Sequence, residues 1–243
     1  MLPLPLGMAR AKQGSANAGF TPNSLPNLAS WHDASDAATI TSSGGNVSQW
    51  SDKSTNANHL TQGTATNQPK TALNTIGGLN AITSDGSNDF MTFASSISRT
   101  NGYSIFFVVQ ALDSASVKGL ISGVGVAAPS VEYTATEQIS IIQISSSTLL
   151  TGASSGLTSP IILYTRSTAT GEAIWLNGVS DGSNATAPSY ASDITQIFRR
   201  SSSLNFSGYL GELIVCLGDV TQANANLTGN YLANKWGISW TSI

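Results

Sequence analysis

Short apolar runs separated by clusters of Gly, Ser and Asn make up most of the chain from residue 28 onward. The clearest run, Tyr103 to Leu112, is β-branched and aromatic and stays apolar at successive positions. Such a run is typical of a strand that is buried on both faces. The run Ala173 to Leu176 is followed by Asn177-Gly178, which is a strong hairpin signal. Runs of this length between turn clusters predict an all-β sandwich or jelly roll.

One helix is predicted near the C-terminus. Thr221 can cap its start, and Gly237 fits the position just after its end. Gly229 within the helix costs about 1 kcal/mol relative to alanine, so we expect the helix to depend on packing against the sandwich. Its apolar residues fall near one face at helical spacing: Leu227, Tyr231, Leu232 and Trp236.

Residues 1–27 differ from the rest of the chain and predict an extended N-terminal arm. Pro3 and Pro5 disfavour a helix, and the segment has no periodic apolar face with which it could fold alone. We expect another protein chain to hold this arm, with the alternative that it lies on its own domain, residues 28–243. The residues predicted to make the assembly contact are Leu2, Leu4, Leu6, Arg10, Lys12 and Phe20.

Charge is scarce, since only 9% of the residues are Asp, Glu, Lys or Arg, against about 25% in a typical soluble domain. The net charge is −3, and the ten basic residues are spread along the chain, which argues against a nucleic-acid partner. The single cysteine, Cys216, excludes an internal disulfide. No apolar stretch approaches the roughly 18 residues of a membrane span, and the N-terminus lacks the pattern of a secretory signal.

Two groups of motifs carry a family resemblance. The first group comprises Trp31-His32-Asp33-Ala34-Ser35-Asp36, Gln49-Trp50-Ser51-Asp52-Lys53-Ser54 and Asp85-Gly86-Ser87-Asn88-Asp89-Phe90, and the second comprises Gly211-Glu212-Leu213-Ile214-Val215 and Tyr231-Leu232-Ala233-Asn234-Lys235-Trp236-Gly237. Together they resemble the concanavalin A-like lectin/glucanase superfamily over residues 28–240, especially the LamG-type modules of phage structural and bacterial surface proteins. The resemblance implies a two-sheet antiparallel jelly-roll sandwich. The chain departs from the family pattern at Thr55, Ser84 and Cys216.

Exposed aromatic side chains are the candidates for binding carbohydrate. Trp175 lies beside the turn that contains Asn177, and Tyr190 lies in a Ser- and Asn-rich loop. These three residues form the predicted carbohydrate site. The other four tryptophans are expected to pack in the core or at its rim: Trp31, Trp50, Trp236 and Trp240.

The acidic residues allow more than one interpretation. Asp33, Asp36, Asp85 and Asp89 lie in turn-rich segments, where carboxylates either bind Ca²⁺ or cap turns. Turn capping is favoured because no EF-hand spacing is present, and no motif requires a cofactor. Glu212 lies in an apolar run. It is either a catalytic acid or a buried carboxylate paired with Lys53, Lys235 or backbone amides, and the second interpretation is favoured.

No catalytic motif is recognisable. The four glutamates are isolated from one another, and the alternating acids of the superfamily's glucanases are absent. We therefore predict that the chain is not an enzyme. The favoured hypothesis is a virion-associated phage structural protein in a homo- or hetero-oligomeric assembly, anchored by its arm to other virion proteins and displaying a domain for cell-surface glycans. The alternatives are a bacterial carbohydrate-binding module at the cell surface or outside the cell and, less favoured, a glycan-active hydrolase.

Overall fold

The computed structural model describes residues 19–112, 116–124, 130–142, 148–186, 188, 193–200 and 203–243. Within these residues the chain forms seventeen β-strands, three short 3₁₀ helices and one α-helix. The 3₁₀ helices are Pro22–Ser24, Ala37–Thr39 and Ala65–Asn67. The all-β class and the helix near the C-terminus are confirmed.

The strands of the first half are β1 (Leu28–Asp33), β2 (Ile40–Ser43), β3 (Asn46–Trp50), β4 (Leu60–Thr61), β5 (Lys70–Ile76), β6 (Leu79–Asp85), β7 (Met91–Ile97), β8 (Tyr103–Ala111) and β9 (Lys118–Ser122). Those of the second half are β10 (Ser130–Tyr133), β11 (Ile139–Ile142), β12 (Thr148–Thr151), β13 (Ile161–Thr168), β14 (Gly171–Leu176), β15 (Val179–Asn184), β16 (Ile194–Ile197) and β17 (Ser207–Leu217). Helix α1 (Gln222–Trp236) follows β17.

The strands pair into one large antiparallel sheet. Hydrogen-bonded neighbours run in the order β12, β11, β10, β9, β16, β7, β4, β3, β5, β6, β17, β8, β13, β14 and β15. Strand β1 pairs with the second half of β17, and β2 pairs with β3. Strand β12 also lies beside β15, so the sheet nearly closes on itself.

Two buried apolar clusters lie on opposite faces of β8, as the pattern of this strand predicts. Side chains at its odd positions join the larger cluster, which fills the interior of the sheet: Tyr103, Ile105, Phe107, Val109 and Ala111. Phe106 and Val108 point to the other face and join the cluster beneath α1. The prediction of a strand buried on both faces is therefore confirmed.

Helix α1 begins and ends where its capping residues predict. The Thr221 hydroxyl accepts a hydrogen bond from the Asn224 amide at 3.2 Å, and Gly237 adopts a left-handed conformation with φ of 68°. Gly229 has a packing role that its helix propensity does not reveal. A β-carbon at this position would lie 2.1 Å from the Trp240 indole, so the glycine lets the segment after the helix pack against it.

Residues 19–27, the described part of the predicted arm, contact the rest of the chain. The Phe20 ring meets the Tyr231 ring of α1 edge to face, with 5.9 Å between the ring centroids. Five of the predicted assembly residues lie outside the described part of the chain: Leu2, Leu4, Leu6, Arg10 and Lys12. The partner chain expected for the arm stays a prediction. No helix in the described residues is long and apolar enough to cross a membrane.

The buried imidazole of His32 lies beside two aromatic residues of the larger apolar cluster. Its ring lies 5.4 Å from the Trp50 ring and 5.8 Å from the Phe93 ring, measured between centroids. Burial lowers the pKa of His32 to about 4, although the charge of Asp52 acts in the opposite direction. The folded protein therefore keeps this imidazole neutral at a pH where the unfolded chain binds a proton.

We predict that His32 makes the fold sensitive to acid. Above pH 6.5 the imidazole is neutral in both the folded and the unfolded chain, so its burial does not lower the stability through protonation. As the pH falls from 6.5 towards 4, the unfolded chain binds the proton first, and the free energy of unfolding drops by roughly 3 kcal/mol in total. The slope of this free energy against pH reports how many more protons the unfolded chain binds than the folded chain. His32→Leu should lower this number by up to one, as measured by urea denaturation at a series of pH values. An unchanged slope would contradict the assignment.

Candidate functional site

Trp175 lies at the end of a stack of three aromatic rings. Tyr164 on β13 stacks on Phe106 of β8, with the centroids 4.2 Å apart and the planes at 4°. Trp175 on β14 stacks on Tyr164, with the centroids 4.8 Å apart and the planes at 18°. Phe106 and Tyr164 are buried, whereas Trp175 is only partly buried. The stack therefore holds the outer indole rigidly at the surface.

A cleft of about 370 Å³ opens beside this indole. The strand neighbour of Trp175 on the side away from Tyr164 is Ser180 of β15, and its small side chain leaves room against the ring. The cleft is also lined by Arg166 and by Gln222 at the start of α1. It therefore combines an aromatic wall with side chains that donate and accept hydrogen bonds.

Arg166 brings a positive charge to the cleft. Its guanidinium carbon lies 5.3 Å from the centre of the Trp175 ring. The group is 3.7 Å from the Asp219 carboxylate, and both side chains are exposed. This ion pair is too long for a direct hydrogen bond, so the guanidinium can still bind a polar ligand in the cleft.

The other two residues of the predicted carbohydrate site have different outcomes. Asn177 has a φ of 52° in the turn between β14 and β15. Its side-chain oxygen accepts a hydrogen bond from the Ile162 amide, and its carbonyl accepts one from the Thr241 amide, both at 2.8 Å. Asn177 therefore holds the turn in place, and its neighbour Gly178 lines the cleft. Tyr190 lies outside the described residues, and its role stays a prediction.

Four further residues that line the cleft were not among the candidates from the sequence: Tyr164, Arg166, Ser180 and Gln222. One available signal was the short turn between β13 and β14, which places Tyr164 directly opposite Trp175. The contribution of Gln222 could not be inferred, because it depends on how α1 docks on the sheet.

Asp33 and Asp36, two of the candidate calcium ligands, are held by lysines. The Asp33 carboxylate lies 2.6 Å from the Lys235 ammonium and 3.0 Å from the Lys53 ammonium. Asp36 lies 2.7 Å from the same Lys53. Although burial acts in the opposite direction, hydrogen bonding to Lys235 lowers the pKa of Asp33. These carboxylates are therefore engaged in ion pairs.

Asp85 and Asp89 cap the turn between β6 and β7. Asp85 accepts a hydrogen bond from the Ser87 amide at 2.8 Å, and Asp89 accepts one from the Asp85 amide at 3.0 Å. In the described part of the chain, no three His, Cys, Asp or Glu side chains gather as metal ligands would. The geometry supports turn capping, and calcium binding stays a prediction.

The Glu212 carboxylate is the centre of a buried hydrogen-bond network. One oxygen accepts hydrogen bonds from the Trp31 indole at 2.7 Å and the Tyr231 hydroxyl at 3.0 Å. The other accepts from Lys235 and from the Trp236 indole, both at 2.7 Å. Burial raises the pKa of Glu212, while Lys235 acts in the opposite direction. The predicted pairing with Lys235 is confirmed, and each carboxylate oxygen accepts two hydrogen bonds from within the protein.

A β-bulge aims Glu212 at the helix. The register between β17 and β8 shifts between Leu210 and Glu212, so that Gly211 is the extra residue. Leu210 and Leu213 consequently both face the interior. A β-carbon on Gly211 would lie 2.7 Å from the Trp236 ring, and the glycine therefore also makes room for this indole.

We predict that Glu212 is essential for stability. Glu212→Ala leaves two buried indole N–H groups without their acceptor and leaves Lys235 with Asp33 as its remaining carboxylate partner, so the free energy of unfolding should fall by about 3–5 kcal/mol. Glu212→Gln keeps the shape and should cost less. Denaturant unfolding followed by tryptophan fluorescence measures the loss. Glu137→Gln, in the turn between β10 and β11, is the matched control. A loss for Glu212→Ala no larger than that of the control would refute the prediction.

Comparison with solved structures identifies proteins of similar fold. Domain 4 of AbnA, a GH43 extracellular arabinanase from Geobacillus stearothermophilus, in complex with arabinotriose, matches with a TM-score of 0.59 and 13% identity, over 84% of this chain and 98% of that one. Trypanosoma rangeli sialidase in complex with the inhibitor DANA matches with a TM-score of 0.59 and 9% identity, over 88% of this chain and 34% of the sialidase.

An arabinofuranosidase complexed with arabinofuranosyl-alpha-1,2-xylobiose matches with a TM-score of 0.57 and 14% identity, over 78% of this chain and 51% of that one. The chain thus spans nearly all of the arabinanase domain but only about a third of the sialidase. No protein-family model matches the sequence, and no curated protein matches it either. At these identities the likeness establishes the fold alone.

These neighbours correct the functional prediction. The hypothesis of a non-catalytic phage structural protein is wrong, and so is the prediction that the chain is not an enzyme. The similar structures are carbohydrate-active enzymes or a domain of one. Nothing among them supports a virion, a phage or a LamG module.

Proposed function

We propose that this chain recognises carbohydrate as part of a glycan-active enzyme, and that the Trp175 cleft is its saccharide site. The extent of the structural matches supports this proposal. The chain corresponds to one whole domain of an arabinanase, a domain that was solved with arabinotriose, and to about a third of a sialidase. A unit of this size fits the recognition part of a larger glycan-processing protein.

The observation that carries the proposal is the outer indole of the aromatic stack. A sugar ring has an apolar C–H face that packs well against an aromatic ring, and hydroxyls around its edge that need hydrogen-bond partners. Trp175 offers the ring, held from behind by Tyr164. Arg166, Ser180 and Gln222 line the same cleft and can bind hydroxyls. Apolar walls with a few convergent polar groups are typical of small-ligand sites.

The finer architecture is part of the same proposal. We assign residues 28–243 to one jelly-roll domain of the concanavalin A-like type and residues 1–27 to a separate arm. The apolar cluster inside the sheet and the second cluster beneath α1 support a layered domain. An arm partner remains a proposal that rests on composition alone.

We predict that Trp175→Leu weakens saccharide binding at least tenfold, which corresponds to about 1.4 kcal/mol. Leucine keeps much of the apolar packing against Tyr164 but removes the flat surface for a sugar ring. Titration calorimetry with linear arabino-, xylo- and gluco-oligosaccharides and with sialyllactose measures the affinity, and a thermal melt checks the fold.

Val179→Ala is the matched control, because Val179 is exposed in the same hairpin and does not line the cleft. This variant should bind like the wild type. The proposed site would be refuted if Trp175→Leu bound every saccharide as tightly as the control did.

A further inference from the structure

Strand β5 separates two clefts on another part of the surface. One cleft, of about 410 Å³, lies between β5 and residues 34–42. The other, of about 540 Å³, lies between β5, the 3₁₀ helix Ala65–Asn67 and the end of β6. Leu73 lines both clefts and is 64% exposed. We refer to the two clefts together as the β5 groove.

The outward position of Leu73 is built into the strand. The register between β5 and β6 is interrupted between Lys70 and Asn74, and Ala72 has a φ of 57°, which is costly for a residue other than glycine. The Ala72 amide donates a hydrogen bond to the Asn80 side chain at 2.9 Å. This bond holds the irregular backbone in place. A single exposed leucine is ordinary, but one fixed between two clefts provides an apolar wall for both.

Polar side chains converge in the larger cleft. It is lined by Asn46, Gln68, Lys70, Asp85 and Asp89. Lys70 donates a hydrogen bond to the side-chain oxygen of Asn46. The cleft therefore offers donors and acceptors next to the apolar wall.

Asp89 is the most unusual of these groups, because only 4% of the residue is exposed. One of its carboxylate oxygens accepts the Asp85 amide, and the other accepts no hydrogen bond from any described residue. Burial raises the pKa of Asp89 to about 6; the Asp85 charge acts in the same direction, while the Asp85 amide and Lys70 oppose it. Asp89 lines the cleft, so a hydroxyl of a ligand there can donate a hydrogen bond to this oxygen.

We propose that the β5 groove is a second saccharide-binding surface, which takes an extended neutral glycan chain. Leu73 packs against the C–H faces of the sugars, and the Asp89 carboxylate accepts a hydrogen bond from a hydroxyl. The charges of Lys70, Asp85 and Asp89 sum to −1, which disfavours an anionic sugar. The class of ligand rests on the proposed function, whereas the location rests on this groove.

The test uses the full chain with arabinotriose and linear arabino-, xylo- and gluco-oligosaccharides in titration calorimetry. The wild type should show two sites, and Trp175→Leu should keep one. Adding Leu73→Ser to Trp175→Leu should lower the remaining affinity at least fivefold. Adding Val124→Ser instead should not, although Val124 is a similarly exposed apolar residue. A thermal melt of each variant checks that it is folded.

Asp89→Asn provides a second readout. The ionised carboxylate is a stronger acceptor than a neutral amide, so affinity at the β5 groove should fall several-fold in this variant, while the substituted side chain keeps an acceptor for the Asp85 amide. Binding at the groove that disappears when EDTA is added would overturn the proposal, because the carboxylates would then be binding a cation.

The outcomes separate the two sites. If Trp175→Leu abolishes all binding while Leu73→Ser and Asp89→Asn have no effect, the second surface is refuted and the proposed function stands. If only the groove variants lose binding, the second surface is supported and the Trp175 site is refuted. If no saccharide binds to the wild type, both proposals fall.

Discussion

The structure depends on one buried carboxylate. Glu212 on β17 binds the Trp31 indole of β1 and three side chains of α1. Lys235 also contacts Asp33, at the end of β1. A carboxylate that is completely buried is tolerated only when all of its hydrogen-bonding capacity is used. The network meets this condition with four donors, and it thereby joins the first strand, the last strand and the helix.

The proposed saccharide site follows from this arrangement. Because Glu212 fixes Trp236 over the bulge at Gly211, α1 covers the same apolar cluster that contains Phe106 and Tyr164. These rings support the Trp175 indole from behind, and the first turn of α1 forms another wall of the cleft. The β5 groove is defined differently, by an irregular strand rather than by the docked helix. Substitutions can therefore remove binding at one surface without changing the other.

Patterns that are local in sequence predicted the elements well. The apolar run of β8, the Asn177-Gly178 turn and both ends of α1 could be inferred because each depends on neighbouring residues. The placement of Trp175 beside a turn was also local, and the structure puts it at a cleft. The pairing of Glu212 with Lys235 was among the alternatives, since both residues belong to recognisable motifs.

What could not be predicted depends on contacts between distant residues. The bulge at Gly211, the role of Gly229 beneath Trp240 and the outward turn of Leu73 become visible only when the strands and the helix are packed together. The two indoles that donate to Glu212 were not predicted for the same reason. The functional hypothesis failed because composition and a missing acid motif carry little information about activity. Activity depends on the geometry and chemistry of particular residues at a site.

We propose that Trp175 is the saccharide platform, and the indole N–H signals in an NMR titration test this role. The chain has five tryptophans, of which Trp31, Trp50 and Trp236 are buried. During titration with a linear oligosaccharide, we expect a progressive shift of the Trp175 signal while the signals of the three buried indoles stay unchanged. A Trp175 signal that does not move while the protein binds the saccharide would contradict it.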